Sequence, residues 1–152
     1  ASSKINENNL VEISSEPIFL KNEKLLSNVN DVYNAIEVTG SYTGKTLFYG
    51  KGAGMEPTAS AVISDIVKIA TDSVINSSFF FDAKSHLKTI DTNELKHEFY
   101  IRTSKDFDIE ASALELYEEI DNYYIIIAEN ISRNDLNEIF ADVKEKLIVK
   151  II

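Results

Sequence analysis

The stretch "GSYTGKTLFYGKGAGMEPTASAV" (residues 40–62) decides the fold of this chain. Residues 31–40 before it alternate apolar and polar side chains, which is typical of a half-buried strand. Gly40 and Gly44 supply turn residues, and "TLFYG" (46–50) resumes an apolar run. Residues 36–49 are therefore predicted to form a β-hairpin.

A helix is predicted to follow this hairpin directly. Pro57 suits the first turn of a helix, where its missing N–H costs nothing. From that point the apolar residues recur at helical spacing, with polar residues on the opposite side. They are Ala59, Val62, Ile63, Ile66, Val67, Ala70 and Val74.

The rest of the chain predicts a second, smaller α+β unit. Residues 2–9 are polar and are expected to be a frayed lead-in, and residues 10–20 form an extended segment that Pro17 places at an edge or a bulge. Residues 76–97 are loosely patterned and mark a domain boundary. Beyond them the pattern predicts, in order, strand 98–104, helix 109–120, strand 122–130, helix 132–147 and strand 148–152.

Composition excludes several classes of partner. The chain has 152 residues and a net charge of −10, which would repel a phosphate backbone, so no nucleic-acid partner is expected. It has no cysteine, which rules out thiolate metal sites and is typical of a reducing compartment, so we expect a cytoplasmic location. No apolar run is long enough for a membrane span, and the two histidines lack the spacing of a metal site.

The tail of "GSYTGKT" (40–46) resembles the end of a phosphate-binding P-loop. However, three residues separate Gly40 from the Gly44–Lys45 pair, where a P-loop needs four. The residues after Thr46 also continue as an apolar strand instead of starting a helix. The pattern therefore favours an ordinary hairpin turn.

The second glycine-rich segment, "YGKGAGMEPTAS" (49–60), leads from a strand straight into a helix. Glycines permit close approach of a ligand to the backbone, and free N–H groups at a helix start favour an anion. Gly50, Gly52 and Gly54 could equally serve only to turn the chain, and the spacing is not that of the dinucleotide fingerprint. Both interpretations stay open on the residues alone.

Residues 25–70 closely resemble the end of the catalytic region of homoserine dehydrogenase. That family has a V-x-x-V-x-N-A strand, a G-x-x-x-G-x-T-x-x-Y/F-G hairpin and a G-x-G-A-G-x-x-x-T-A-x-A-V turn into a helix, without a gap. The matching residues here are Val29, Val32, Asn34, Ala35, Gly40, Gly44, Thr46, Tyr49, Gly50, Gly52, Ala53, Gly54, Thr58, Ala59, Ala61 and Val62.

The resemblance implies an enzyme that interconverts L-aspartate 4-semialdehyde and L-homoserine with NAD or NADP, in the biosynthesis of threonine, methionine and isoleucine. Family members begin with a nucleotide-binding domain and carry a catalytic lysine on the next domain. This chain has no G-x-G-x-x-G motif. We therefore expect a C-terminal part of the enzyme, inactive by itself.

The resemblance also implies candidate cofactor contacts. In the family, the glycine turn lies against the nicotinamide cofactor, which makes the backbone of Gly54 the first candidate, with Gly52, Ala53 and Thr58 beside it. Thr58 has an alternative role at the helix start, where its hydroxyl would serve the backbone. Lys45 and Lys51 are assigned no role.

The C-terminal unit is similar to an ACT domain, a βαββαβ module that binds a regulatory amino acid in bacterial homoserine dehydrogenases. Asp106 follows the first strand as in that module, but the Pro-Gly after it is missing, and one strand of the module is predicted to be lost or very short. The expected division is residues 1–76 for the end of the catalytic domain, 77–96 for a linker and 97–152 for a degenerate ACT-like domain. A homodimer is expected, and the alternative function is a free-standing amino-acid-binding or dimerisation module.

Overall fold

The computed structural model describes residues 1–6, 8–52, 54–71, 87–110, 112 and 114–152, which form an α+β fold with mixed sheets. The strands are β1 Ser2–Ile5, β2 Leu10–Ser14, β3 Ile18–Phe19, β4 Tyr33–Gly40, β5 Gly44–Lys51, β6 Lys88–Ile90, β7 Lys96–Ser104, β8 Leu116–Ile120, β9 Tyr123–Ser132 and β10 Lys146–Ile151. The α-helices in these ranges are α1 Met55–Ala70 and α2 Arg133–Ile139, and 3₁₀ turns occupy Leu25–Asn28 and Thr92–Glu94.

The chain divides by contact into two compact units. One unit joins Ala1–Lys21 to His86–Ile152, and the other is Asn22–Ser85. The N-terminal strands thus share a unit with the C-terminal part of the chain. The division into 1–76, 77–96 and 97–152 follows the family resemblance instead of these contacts, and it stays a prediction.

A five-stranded sheet organises the first unit, in the order β3-β10-β7-β9-β8. The pairs from β10 to β8 are antiparallel, and β3 joins the edge in parallel to β10. One face of this sheet carries the hydrophobic core under α2. Its buried members are Phe99, Ile101, Phe107, Ile126, Ala128, Leu136 and Phe140.

Helix α2 is shorter than the sequence pattern predicts. Ser132 caps its start through a reciprocal capping box with Asp135, but the helix ends at Ile139 instead of continuing to Leu147. The Lys146 ammonium donates to the carbonyl of Phe140 just beyond the helix, which fixes a turn there and lets β10 begin. The apolar residues 136, 139, 140 and 143 still pack on the core, although the helix ends earlier than predicted.

The helix predicted over residues 109–120 is wrong. Leu116–Ile120 is strand β8, paired with β9 through a two-residue turn. Asp121 in that turn has a φ of 49°, a left-handed conformation that Asp and Asn tolerate better than most residues. Pairing with β9 fixes residues 116–120 as a strand, which local helical spacing does not reveal. The element order β7-β8-β9-α2-β10 therefore has the strand thought to be lost, and its described residues form no helix between β7 and β8.

A three-stranded sheet completes the first unit, in the order β1-β2-β6. Residues 2–5 are not the frayed lead-in that was expected, because β1 pairs antiparallel with β2 from Ser2↔Ser14 to Ile5↔Val11. Strand β6 pairs in parallel with the other edge of β2. The extended conformation of residues 10–20 is confirmed, with Pro17 immediately before the edge strand β3.

The second unit contains the hairpin and helix that the sequence predicts. Strands β4 and β5 pair without interruption from Tyr33↔Lys51 to Gly40↔Gly44, and α1 follows four residues later with Gly54 as its N-cap. None of the 16 residues of α1 is buried. Its large apolar side chains are all more than half exposed: Val62, Ile63, Ile66, Val67 and Ile69.

Candidate functional site

The candidate site is the turn that joins β5 to α1. Strand β5 ends at Lys51 and the helix begins at Met55, so Gly52 and Gly54 lie in the connection. Ala53, the third residue expected here, lies outside the described residues. The structure thus places Gly52, Gly54 and Thr58 in one short segment at the start of a long helix.

Gly54 has a backbone conformation that requires glycine. Its φ is 115° and its ψ is 165°, a combination that residues with a Cβ rarely adopt. Space is not the constraint, because an added Cβ would lie 3.7 Å from Pro57 Cδ, which is an ordinary contact. Gly54 has no side chain that could cap α1, and the helix has no side-chain N-cap bond. The N–H groups of Met55 and Glu56 therefore have no side-chain cap at the start of the helix.

Gly52 is constrained by its neighbour across the hairpin. A Cβ at position 52 would lie 1.8 Å from Nδ2 and 2.8 Å from Cγ of Asn34. The backbone N–H of Gly52 donates to the carbonyl of Val32 at 3.4 Å, which extends the pairing by one residue. The Asn34 side chain thus leaves no space for a side chain on the first residue of the turn. Sequence reasoning noticed Asn34 only as a motif residue, because a contact between two strands has no signature in local spacing.

Thr58 serves the helix backbone in this structure. Its hydroxyl donates to the Gly54 carbonyl at 2.8 Å, and its N–H donates to the same oxygen at 3.3 Å. This geometry is the alternative role considered for Thr58, and it ties the first turn of α1 to the glycine that precedes it. Oγ1 still has a lone pair with which to accept a further bond.

The hairpin below the turn is held by side chains on one face. The rings of Tyr33 and Tyr49 stack with centroids 4.9 Å apart and an interplanar angle of 8°. Lys45 pairs with Glu37 at 3.2 Å across the strands, which gives this lysine a structural partner at an exposed position. Gly44 has a φ of 66° and β5 continues through residue 51. The hairpin-turn interpretation of residues 40–46 is thus confirmed, and the P-loop interpretation is excluded.

A second candidate position lies in the C-terminal unit. A cavity of about 420 Å³ opens beside the C-terminal end of α2. It is lined by Asp106, Phe107, Asp108, Ser112, Ile139, Asp142 and Val143. Asp106 accepts a hydrogen bond from the Ser104 hydroxyl. The described lining thus combines apolar side chains with three aspartates.

The described residues include neither a metal-binding cluster nor a membrane-spanning helix. They contain no group of three or more histidine, cysteine, aspartate or glutamate side chains placed to hold a metal ion. Within the same ranges, no helix is both long and apolar enough to cross a membrane.

Comparison with known proteins connects the N-terminal part of the chain to one enzyme family. Residues 2–67 match the family model of homoserine dehydrogenase. The homoserine dehydrogenase of Helicobacter pylori is 58% identical over 60 residues, which are 40% of this chain and 14% of that protein. The enzyme of Pseudomonas aeruginosa is 48% identical over 58 residues, which are 38% of this chain and 13% of that protein. The resemblance to this family is confirmed over that region, and the matched region spans only a small part of the relatives' length.

Solved structures extend the similarity of fold to nearly the whole chain. A homoserine dehydrogenase from Thiobacillus denitrificans superposes with a TM-score of 0.71 at 22% identity, covering 99% of this chain and 41% of the other. The enzyme of S. aureus gives a TM-score of 0.55 at 26% identity, covering 90% of this chain and 36% of that one. Both units therefore have counterparts in the fold of homoserine dehydrogenases.

Proposed function

We propose that this chain is the C-terminal part of a homoserine dehydrogenase, which interconverts L-aspartate 4-semialdehyde and L-homoserine with NAD or NADP. The observation that carries the proposal is the match of residues 2–67 to the homoserine dehydrogenase family model. The match includes the hairpin, the glycine turn and most of α1, which are continuous here. In a longer polypeptide the nucleotide-binding domain and the catalytic lysine would precede this chain.

The exposed faces of the hairpin and helix support a longer polypeptide. Ile36 and Phe48 face each other on one side of the hairpin and are 66% and 61% exposed. An isolated two-stranded hairpin and an isolated helix of this length are marginal in water, because neither buries an apolar face. These surfaces are where the rest of the enzyme would pack. We therefore expect the 152-residue chain to have no dehydrogenase activity of its own.

In this proposal, the turn before α1 contributes backbone contacts to the nicotinamide cofactor. Gly54 would present its backbone to the cofactor, with Gly52, Ala53 and Thr58 beside it. The positive φ of Gly54 and the uncapped start of α1 support this role, because they leave N–H groups accessible next to a residue without a side chain. A bound cofactor would then be positioned by main-chain atoms, which hold their places through the pairing of β4 with β5.

The C-terminal residues 97–152 are proposed to be a degenerate ACT-like domain, after residues 1–76 of the catalytic domain and a linker at 77–96. The order β7-β8-β9-α2-β10 supports this assignment, since it matches a βαββαβ order except that the described residues between β7 and β8 form no helix. The cavity beside Asp106 follows the first strand of the module, where a regulatory amino acid would bind. The missing Pro-Gly after Asp106 favours a structural or dimerising role over feedback by threonine.

The proposal includes a small-molecule substrate, a cytoplasmic location, a homodimer and a place in the biosynthesis of threonine and methionine. The alternative is a free-standing amino-acid-binding or dimerisation module that keeps a catalytic remnant. Stabilisation of the chain by threonine in a thermal-shift assay would favour this alternative, because a ligand that binds only the folded state raises its melting temperature.

The decisive experiment begins with the size of the native polypeptide. An antibody against this chain should detect a band far larger than 17.1 kDa in extracts of the source cell. That protein, once purified, should oxidise homoserine with NAD or NADP. Gly54→Val should raise the KM for the cofactor because a β-branched side chain cannot adopt the native φ. Gly50→Ala is the matched control, since a Cβ there meets no atom within 4 Å. A native band at the fragment's own size would contradict the proposal.

A further inference from the structure

A buried cluster of three ionisable side chains joins the two sheets of the first unit. Glu12 lies on β2 of the small sheet, whereas His97 and Lys150 lie on β7 and β10 of the large sheet. Lys150 Nζ is 2.7 Å from Glu12 Oε1 and 3.1 Å from His97 Nε2. His97 Nε2 is 3.1 Å from the same glutamate oxygen. The side chains of Lys150, Glu12 and His97 are only 6%, 12% and 19% exposed.

Polar side chains contribute to the junction between the two sheets. Among the described residues, the hydrophobic core under α2 includes none from β1, β2 or β6. A second polar contact lies at the same junction, since Arg133 of α2 pairs with Glu16 at 2.6 Å while its guanidinium lies over the ring of Phe99. Charged hydrogen bonds therefore take part in attaching the small sheet to the large one.

Hydrogen-bond chemistry makes the cluster sensitive to the protonation of His97. A lysine ammonium only donates, so Lys150 donates to the Glu12 carboxylate and, in the neutral His97 tautomer that carries its proton on Nδ1, to Nε2 of that ring. Protonated His97 has an N–H at that position and can no longer accept. An imidazolium and an ammonium would then face one carboxylate, leaving a net positive charge in a nearly buried site.

We propose that Glu12, His97 and Lys150 form a pH-sensitive latch that fastens β2 to the five-stranded sheet when His97 is neutral and releases it when His97 is protonated. The charged groups around the imidazole are Glu12 on β2, Glu16 after β2, Lys150 on β10 and, through Glu16, Arg133 on α2. The latch goes beyond the proposed enzyme activity. It acts within the unit that joins Ala1–Lys21 to His86–Ile152.

The direction of the pH response follows from the surroundings of His97. Burial lowers its pKa below the ordinary value of 6.5, and the Lys150 ammonium lowers it further, against the opposing effects of Glu12 and Glu16. In the released state the ring regains water and titrates near 6.5. Release is therefore favoured as the pH falls below 6.5 toward the lower pKa of the closed state, and it is suppressed above 6.5. Each unit of pKa difference corresponds to about a tenfold change in the opening equilibrium.

The test is hydrogen exchange of the 152-residue chain, followed residue by residue by NMR between pH 7.5 and 5. Protection factors, which remove the intrinsic pH dependence of exchange, should fall for β2 amides as the pH drops below 6.5 and should level off near the midpoint of the His97 ring titration in the closed protein. Amides of β7 and β9 in the core should keep their protection over the same range. Unchanged β2 protection, or a fall that continues unchanged below the His97 midpoint, would overturn the proposal.

Two variants distinguish the release of β2 by protonation of His97 from a general loss of stability at low pH. His97→Gln keeps an acceptor for Lys150 but cannot be protonated, so the step in β2 protection should disappear while protection at pH 7.5 persists. Glu16→Gln keeps His97 and removes a carboxylate that favours its protonated form, so the step should persist with its midpoint at lower pH. A step that persists unchanged in His97→Gln contradicts the latch. If His97→Gln does not fold, the pH range of β2 release in the unaltered chain decides, since it must lie between 6.5 and the His97 midpoint.

Discussion

The side-chain amide of Asn34 occupies the space in which any side chain on residue 52 would begin, since a Cβ on Gly52 would lie 1.8 Å from Asn34 Nδ2. The two residues lie on opposite strands of the hairpin, at the point where it leads into the glycine turn. The identity of residue 52 is thus set by its partner on β4 as well as by the turn itself.

Gly52→Ala should destabilise the hairpin, because either Asn34 or the turn must move. We expect a loss of about 1–3 kcal/mol, typical of overpacking, in denaturant unfolding of the full-length protein. Asn34→Ala in the same background should recover part of this loss, so the two changes should be clearly non-additive. Gly50→Ala, which meets no atom within 4 Å, is the control. Strict additivity of the two changes would contradict the close contact.

Thr103→Val should stabilise the C-terminal unit. Thr103 is fully buried on β7, and its hydroxyl has no hydrogen-bond partner. Valine has nearly the same shape and removes the cost of burying an unpaired hydroxyl, so we expect a gain of about 1 kcal/mol in the free energy of unfolding. Ser104→Ala on the same strand is a useful contrast, because that hydroxyl donates to Asp106. A loss of stability in Thr103→Val would show that the hydroxyl is bonded.

Phe140→Ala should destabilise the same unit by about 3–5 kcal/mol, the usual cost of removing a fully buried aromatic ring. Phe140 is 0% exposed, and its ring stacks on Phe107 with centroids 4.3 Å apart. Thermal unfolding followed by circular dichroism would measure the loss. Tyr117→Ala is the matched control, because Tyr117 is 70% exposed on the edge strand β8. Equal losses of stability in the two variants would show that Phe140 is not part of the hydrophobic core.

Ser132→Ala should shorten or fray α2. The Ser132 hydroxyl accepts from the Asp135 N–H at 3.1 Å, and we expect its loss to cost about 0.5–2 kcal/mol. Hydrogen bonds from Ser132 also lower the pKa of Asp135, so this carboxyl should titrate nearer its ordinary value in the variant. A lowered carboxyl pKa stabilises the folded state above the unfolded pKa, and this contribution disappears as the pH falls. NMR titration of Asp135 in both proteins would measure the change.

Local sequence patterns correctly predicted the elements in which each residue interacts with others close to it in sequence. The β4–β5 hairpin and α1 were predicted correctly because turn glycines and apolar periodicity identify them within a short window. The segment 109–120 was misassigned because its apolar and acidic residues fit helical spacing, whereas its structure depends on pairing with β9. Likewise β1 has a polar sequence and owes its conformation to β2.

Within the candidate site, the sequence identified the turn but not what holds it. Glycine content predicted that residues 52 and 54 lie in a connection between a strand and a helix. The contact of Gly52 with Asn34 depends on hairpin register, and the bond from Thr58 to the Gly54 carbonyl depends on where the helix begins. The Glu12–His97–Lys150 cluster was missed for a similar reason, since its members are far apart in sequence and meet only in the folded unit.

The division of the first unit between the two ends of the chain has a kinetic consequence. Strand β2 pairs with β6, and Glu12 meets Lys150, only after the whole of Asn22–Ser85 has been looped out between them. Closing so long a loop costs conformational entropy, which is offset only after the distant contacts have formed. These pairings should therefore form late. The β4–β5 and β8–β9 hairpins close over a few residues and should form first. Folding of this unit therefore waits for synthesis of β10, which carries Lys150.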